Sequence, residues 1–131
     1  VADVDTVTRA IIGSAIEVHR VLGPGLLESA YELALAIELA ARGVAFDRQV
    51  RCPIFYRGHC IGDYRLDFMV ADLVVVEIKS VEAIRPVFVA QMLTYLRAAD
   101  RHTGLILNFN VDCLRHGVRR VMLRDSSHTH R

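Results

Sequence analysis

Lysine is nearly missing from this chain. Of its sixteen basic residues fifteen are arginine, and the single lysine is Lys79. A composition that uses arginine wherever any cation serves makes that position chemically distinct. An ammonium is a compact point charge whose pKa moves on burial, whereas a guanidinium stays charged and prefers planar partners. Cysteine is also scarce: Cys52, Cys60 and Cys113 form no CxxC pair and leave an odd count. This argues against a disulfide framework or a self-contained four-cysteine metal site, and the three read as reduced thiols. Charge of one sign is lacking, since the net charge is +1. Any contact with nucleic acid must therefore come from a local basic patch. No apolar run approaches the roughly twenty residues a bilayer span needs, and no charged-then-apolar leader opens the sequence. The expectation is a soluble, cytoplasmic protein with no membrane association.

What is present is a large apolar fraction, 53% of 131 residues. That suffices for one core and is too little chain for two ordinary domains, so a single domain over 1–131 is expected. The positive mean hydropathy predicts a homo-oligomer, because surplus apolar surface in a small chain is commonly covered by another copy.

The hydrophobic period changes along the chain. Val4, Val7, Ile11, Ala15, Val18 and Leu22 follow the spacing of an amphipathic helix, stopped by Gly23-Pro24-Gly25. A second helix is predicted from Leu26 to Arg42, ending at Gly43. Two apolar stripes on it, Leu26, Ala30, Leu33, Ala34, Ile37 and Leu27, Tyr31, Leu35, Leu39, predict burial on most sides. From Val44 the period is two: Val44, Phe46, Val50, Cys52, Ile54 and Tyr56 share one predicted strand face, interrupted by Arg48. Pro53 suits an edge or a bulge. After a turn at Arg57-Gly58-His59, Ile61–Val70 returns with Tyr64, Leu66, Phe68 and Val70 on one face and Asp63, Arg65 and Asp67 on the other. Leu73–Lys79 makes a third strand. Pro86 opens a helix to about Ala99. Gly104–Asn110 and Gly117–Leu123 read as two further strands, and Asp125–Arg131 as a frayed tail. The predicted fold is α/β (α+β): two N-terminal helices, a three-stranded meander, a helix and two more strands in a mixed sheet.

The segment Asp67–Lys79, DFMVADLVVVEIK, is where charge breaks into an apolar hairpin. Leu73, Val75, Glu77 and Lys79 share a face. A two-residue turn at Ala71-Asp72 would set Asp67 against Val76, whereas a three-residue connection, Ala71 to Leu73, sets it against Glu77 on one face. The second arrangement is predicted. Two carboxylates across a ladder repel unless something positive compensates them. Either Lys79 or an arginine closes a buried ion pair, or oxygen ligands converge on Mg²⁺ or Mn²⁺. Glu28 stands in the first turn of the second helix, where the helix dipole alone favours a carboxylate; otherwise it is a further acid of the site. His19 reads as a packing histidine or a site residue. Gln91 and Tyr95 share a helix face.

The order of elements and charges resembles the PD-(D/E)XK nuclease superfamily, with its restriction-endonuclease-like core. Asp67 and Glu77-Ile78-Lys79 are similar to its acid and E-x-K pair, and Gln91-x-x-x-Tyr95 to the QxxxY element of its RecB-like branch. Gly25-Leu-Leu-Glu28-Ser-Ala-Tyr31, after Ile16-Glu-Val-His19-Arg20, resembles the small bacterial GxxExxY family over residues 5 to 124. Leu66 stands where a proline often precedes the acid. The resemblance implies metal-dependent hydrolysis of phosphodiesters, in DNA ahead of RNA. Asp67, Glu77 and the Ile78 carbonyl would bind Mg²⁺ or Mn²⁺, and Lys79 would orient or deprotonate water. Glu28 would be a further acid, Gln91 and Tyr95 would position substrate or water, and His19 and Arg20 would join them. Arg48, Arg65, Arg85, Arg97 and Arg101 are further candidates for phosphate contacts. The competing expectation is an oligomeric binding or scaffold protein that keeps the fold without the chemistry.

Overall fold

The computed structural model describes residues 3–124. The elements run α1 (Val4–Leu22), α2 (Glu28–Ala41), β1 (Phe46–Tyr56), β2 (His59–Val70), β3 (Val74–Lys79), α3 (Pro86–Ala99), β4 (Thr103–Asn108), a 3₁₀ turn (Leu114–Gly117) and β5 (Val118–Met122). The sheet has the order β1-β2-β3-β4-β5. Every neighbouring pair is antiparallel except β3 with β4, which is parallel and joined through α3. This is the mixed architecture that the sequence predicts. The tail expectation for residues 125–131 lies outside the described residues.

Each face of the sheet carries its own apolar cluster. On one, Val7, Ile11, Ala15 and Val18 of α1 and Tyr31, Leu35 and Leu39 of α2 pack on Phe68, Val70, Val74, Val76 and Leu105. On the other, Met92, Tyr95 and Leu96 of α3 cover Cys52, Leu66, Met69, Val75 and Ile106. Covered on both faces, β3 has no polar alternation until Glu77, as a central strand requires.

Local chemistry sets the ends. Asp3 caps α1 by accepting from the Thr6 N–H at 2.7 Å, which meets one of the four amides a helix start leaves unpaired. Tyr31 fixes the α1–α2 turn: its hydroxyl donates to the Gly23 carbonyl at 2.6 Å and accepts from the Leu26 N–H at 3.1 Å, and its ring stacks on Phe109. Because Leu26 is spent in that turn, α2 begins at Glu28 and not at Leu26. The β1–β2 turn uses Arg57 and Gly58, both at positive φ, the geometry that suits the twist of a tight hairpin. At the far end β4 stops at Asn108, whose side chain is engaged by both backbone groups of Val81.

Two expectations are corrected. Helix α2 buries only the Tyr31, Leu35, Leu39 stripe, whereas Leu27, Leu33 and Ile37 face outward, Ile37 being 70% exposed. One layer of sheet and one neighbouring helix cannot cover both stripes. Also, the even-numbered residues of β1 do not share a face. Val44 and Phe46 join the α1–α2 cluster, but Val50, Cys52 and Ile54 join the α3 cluster. The strand turns over at Gln49, which takes a left-handed conformation at φ 51. A residue other than glycine pays roughly 1–2 kcal/mol to sit there. β2 turns over with it, so Leu66 and Phe68 lie in opposite clusters.

Candidate functional site

The turn between β2 and β3 has three residues, Ala71 to Leu73, and pairs Val70 with Val74, Met69 with Val75 and Phe68 with Val76. Continued by one residue, this register sets Asp67 opposite Glu77, as the three-residue connection predicts. The two strands then part, and carboxylates take the place of backbone carbonyls. Glu77 Oε2 accepts the Asp67 N–H at 2.9 Å, and Asp67 Oδ2 accepts the Ile78 N–H at 2.8 Å. Each acid is thereby oriented by the main chain of the strand opposite.

Among the described residues neither carboxylate of the pair forms a salt bridge, so its electrostatic load is only partly relieved. Burial pushes Glu77 up to about 8, reinforced by the negative charge of Asp67 and only partly opposed by the Asp67 N–H and by Lys79. Burial likewise raises Asp67, with Glu32 and Glu28 adding to the rise, against the Ile78 amide and Lys79. Glu77 is 8% exposed, so water does little to screen it.

Lys79 does not close an ion pair with either acid. Its Nζ stands over the Phe88 ring, 4.5 Å from the centroid, and among the described residues the lysine forms no salt bridge. The ring quadrupole holds the cation in place and leaves its hydrogen-bond donors uncommitted. Among the described residues no arginine pairs with Glu77 either, so the ion-pair reading of Glu77 does not hold.

Helix α3 supplies the opposite wall. Tyr95 is buried, and its hydroxyl is pushed up to about 12 by burial and then by the charge of Glu77. Gln91, one turn earlier, is exposed and makes no side-chain hydrogen bond among the described residues. From α2, Glu28 is exposed and accepts a long contact from the Ser80 N–H at 3.4 Å, while Ser80 Oγ donates to the Leu26 carbonyl at 2.7 Å. The start of α2 and the end of β3 are thus tied together, with Glu28 near the pair.

Sequence reasoning missed two residues of this site. Glu32 lies one helical turn beyond Glu28 and accepts from Arg48 Nη2 at 3.0 Å and from Gln49 Nε2 at 2.9 Å. The same Gln49 nitrogen reaches Asp67 Oδ1 at 3.4 Å. Consecutive strand residues normally point to opposite faces. Arg48 and Gln49 reach one carboxylate because the left-handed backbone at Gln49 breaks the alternation. The available signal was the i, i+4 spacing of Glu28 and Glu32, which places both on one face of α2.

The remaining sequence candidates lie apart from these contacts. His19 is buried, with Nε2 2.7 Å from the Val111 carbonyl and its ring tilted against Phe109. Arg20 forms a bidentate pair with Glu17. Arg101 pairs with Asp72, whereas Arg65 and Arg97 form no salt bridge among the described residues.

Among the described residues no group of three or more His, Cys, Asp and Glu side chains is placed to hold a metal ion. A magnesium ion nevertheless keeps most of its waters and is commonly held by one or two carboxylates. Asp67 and Glu77 are hard oxygen donors that form no salt bridge among the described residues. Their chemistry fits such an ion, with Glu77 Oε1 accepting no hydrogen bond among those residues.

A family model described as the PD-(D/E)XK nuclease superfamily matches residues 5–121. No curated protein and no solved structure matches the chain.

Proposed function

The chain belongs to the PD-(D/E)XK nuclease superfamily, and from that premise we propose that it hydrolyses phosphodiester bonds of nucleic acid, DNA ahead of RNA, with Mg²⁺ or Mn²⁺. The observation that carries this reading is the reciprocal bonding of Asp67 and Glu77 across the ends of β2 and β3, beside a lysine with no carboxylate partner among the described residues. Asp67, Glu77 and the Ile78 carbonyl would hold the ion, which supplies a polarised phosphoryl oxygen and a more acidic water when bound. Lys79, kept in place by Phe88, orients the attacking water and takes up charge next to the phosphate. Glu28 and Glu32 add acidity on the α2 side. Tyr95, too high in pKa to ionise near neutrality, acts as a hydrogen-bond donor or a packing wall, and Gln91 is free to meet substrate. His19 and Arg20 would act only at the far end of a bound strand. The GxxExxY resemblance is consistent with this assignment, although Tyr31 serves the turn that carries Glu28.

The deciding experiment incubates labelled single- and double-stranded DNA and RNA with Mn²⁺. Cleavage by the wild type that Lys79→Ala loses supports the reading. Equal cleavage by both marks a contaminant, and no cleavage of any substrate removes the reading.

A second reading has an observation of its own. Val21, Leu22, Leu27, Leu33 and Ile37 form an exposed apolar surface on α1 and α2, which suits an oligomeric scaffold with an idle site. Sedimentation shows whether the protein self-associates, and calorimetry with Mn²⁺ shows whether the acids are idle. No helix of the described chain is long and apolar enough to cross a membrane.

A further inference from the structure

β1 and β2 extend as a hairpin beyond their contact with β3, which pairs with β2 only at Phe68, Met69 and Val70. This outer hairpin mixes exposed aromatic rings with arginine. Phe55 and Tyr56 are both 61% exposed and Tyr64 is 48% exposed, with Arg57 set over the Tyr56 ring. Between the hairpin and α3 lies an open groove of about 420 Å³, lined by Pro53, Ile54, Phe55, Thr94, Arg97 and Ala98.

Tyr64 does not line this groove but stands on the same side of the sheet, beside Tyr95. In the register it pairs with Cys52, and Gly62 pairs with Ile54, so its ring is on the face that looks toward α3. A side chain at Gly62 would come within 2.5 Å of the Tyr64 ring. The glycine therefore lets the ring lie down along the strand with its other surface open. Its centroid is 6.1 Å from that of Tyr95, the residue whose hydroxyl feels the charge of Glu77. Charge gives the kind of occupant. Arg97 is the one charged residue lining the groove; it has no carboxylate partner among the described residues, and the groove is lined by no acid.

We infer that this groove holds a single strand of nucleic acid, with one base stacked on Tyr64, a phosphate on Arg97, and the strand leading past Tyr95 to Glu77. The inference rests on the nuclease reading and specifies its substrate. In a duplex the base faces are covered by their neighbours, so an open aromatic ring is used only by an unpaired or terminal base. An arginine near such a ring meets the backbone charge without reading sequence.

The test is fluorescence anisotropy of labelled single-stranded DNA, single-stranded RNA, blunt duplex DNA and a poly-glutamate peptide, in EDTA so that no cleavage intervenes. Wild type should prefer the single strands over duplex by about tenfold or more. Tyr64→Ala should weaken single-strand binding about tenfold, while Tyr64→Phe, which keeps the ring, stays within about twofold. Arg97→Ala should lower affinity and reduce the salt slope by about one. Wild-type binding that Tyr64→Ala leaves unchanged, a preference for blunt duplex, or equal affinity for poly-glutamate would overturn the groove assignment. Those results leave the metal site standing if Asp67→Ala still abolishes Mn²⁺ binding in calorimetry. Absence of both oligonucleotide and Mn²⁺ binding by the wild type overturns the nuclease reading together with this one.

Discussion

Asp67 and Glu77 each take a backbone amide from the other's strand, at 2.8 and 2.9 Å respectively, so two acids are fixed at the point where an antiparallel ladder ends. Mutual orientation by the main chain keeps them together despite their repulsion. Lys79, held over Phe88, offsets that repulsion only in part.

Stability of the metal-free protein should fall as pH rises. The carboxyl of Glu77 is raised from the ordinary 4.5 to about 8, so between these values the folded state binds more proton than the unfolded one. By linkage this contributes a loss of stability that begins above pH 4.5 and is complete above about 8, on the order of 5 kcal/mol. Urea denaturation from pH 5 to 9 should show the decline, and Glu77→Gln should flatten it. A wild-type profile that rises through this window would refute the assignment.

Mn²⁺ should reverse that trend, because an ion bound by the carboxylates expels the proton Glu77 holds near neutrality. Calorimetry at pH 7 in buffers of different ionisation enthalpy should report proton release on binding. Asp67→Asn should weaken binding by about 10- to 100-fold, in the manner of losing an oriented ligand. Buffer-independent heats would count against it.

Lys79→Arg should not rescue the reaction. The guanidinium preserves charge but cannot share a proton at neutral pH and has a different shape. Turnover is expected to drop about 10²-fold or more, with Mn²⁺ affinity little changed. Nearly full activity of Lys79→Arg would reduce the lysine to a generic cation.

At Gln49 the usual order of residues should invert. Alanine is normally better than glycine within a strand, but at φ 51 glycine should exceed alanine by about 1 kcal/mol. Both Gln49→Gly and Gln49→Ala lose the bonds to Glu32 and Asp67, so their difference in urea midpoint isolates the backbone. Equal midpoints would mean that the strand relaxes and the left-handed turn is not enforced.

The amino-acid sequence by itself determined the element order, because the shift from a three-and-four period to a period of two reports how each segment meets its core. It also reduced the pairing of Asp67 with Glu77 to a question of turn length and strand parity, which the three-residue turn of the fold answers. The tertiary structure alone decided which apolar stripe of α2 is covered: Leu33 and Leu35 look equivalent in sequence, and only the packed sheet chooses between them. It alone decided that Lys79 meets Phe88 and not Glu77, because residues on different elements supply the two partners. The reversal of β1 at Gln49 was equally hidden. A left-handed residue is legible in sequence when it is glycine or asparagine, and a glutamine is held there only by the bonds that the fold brings to it.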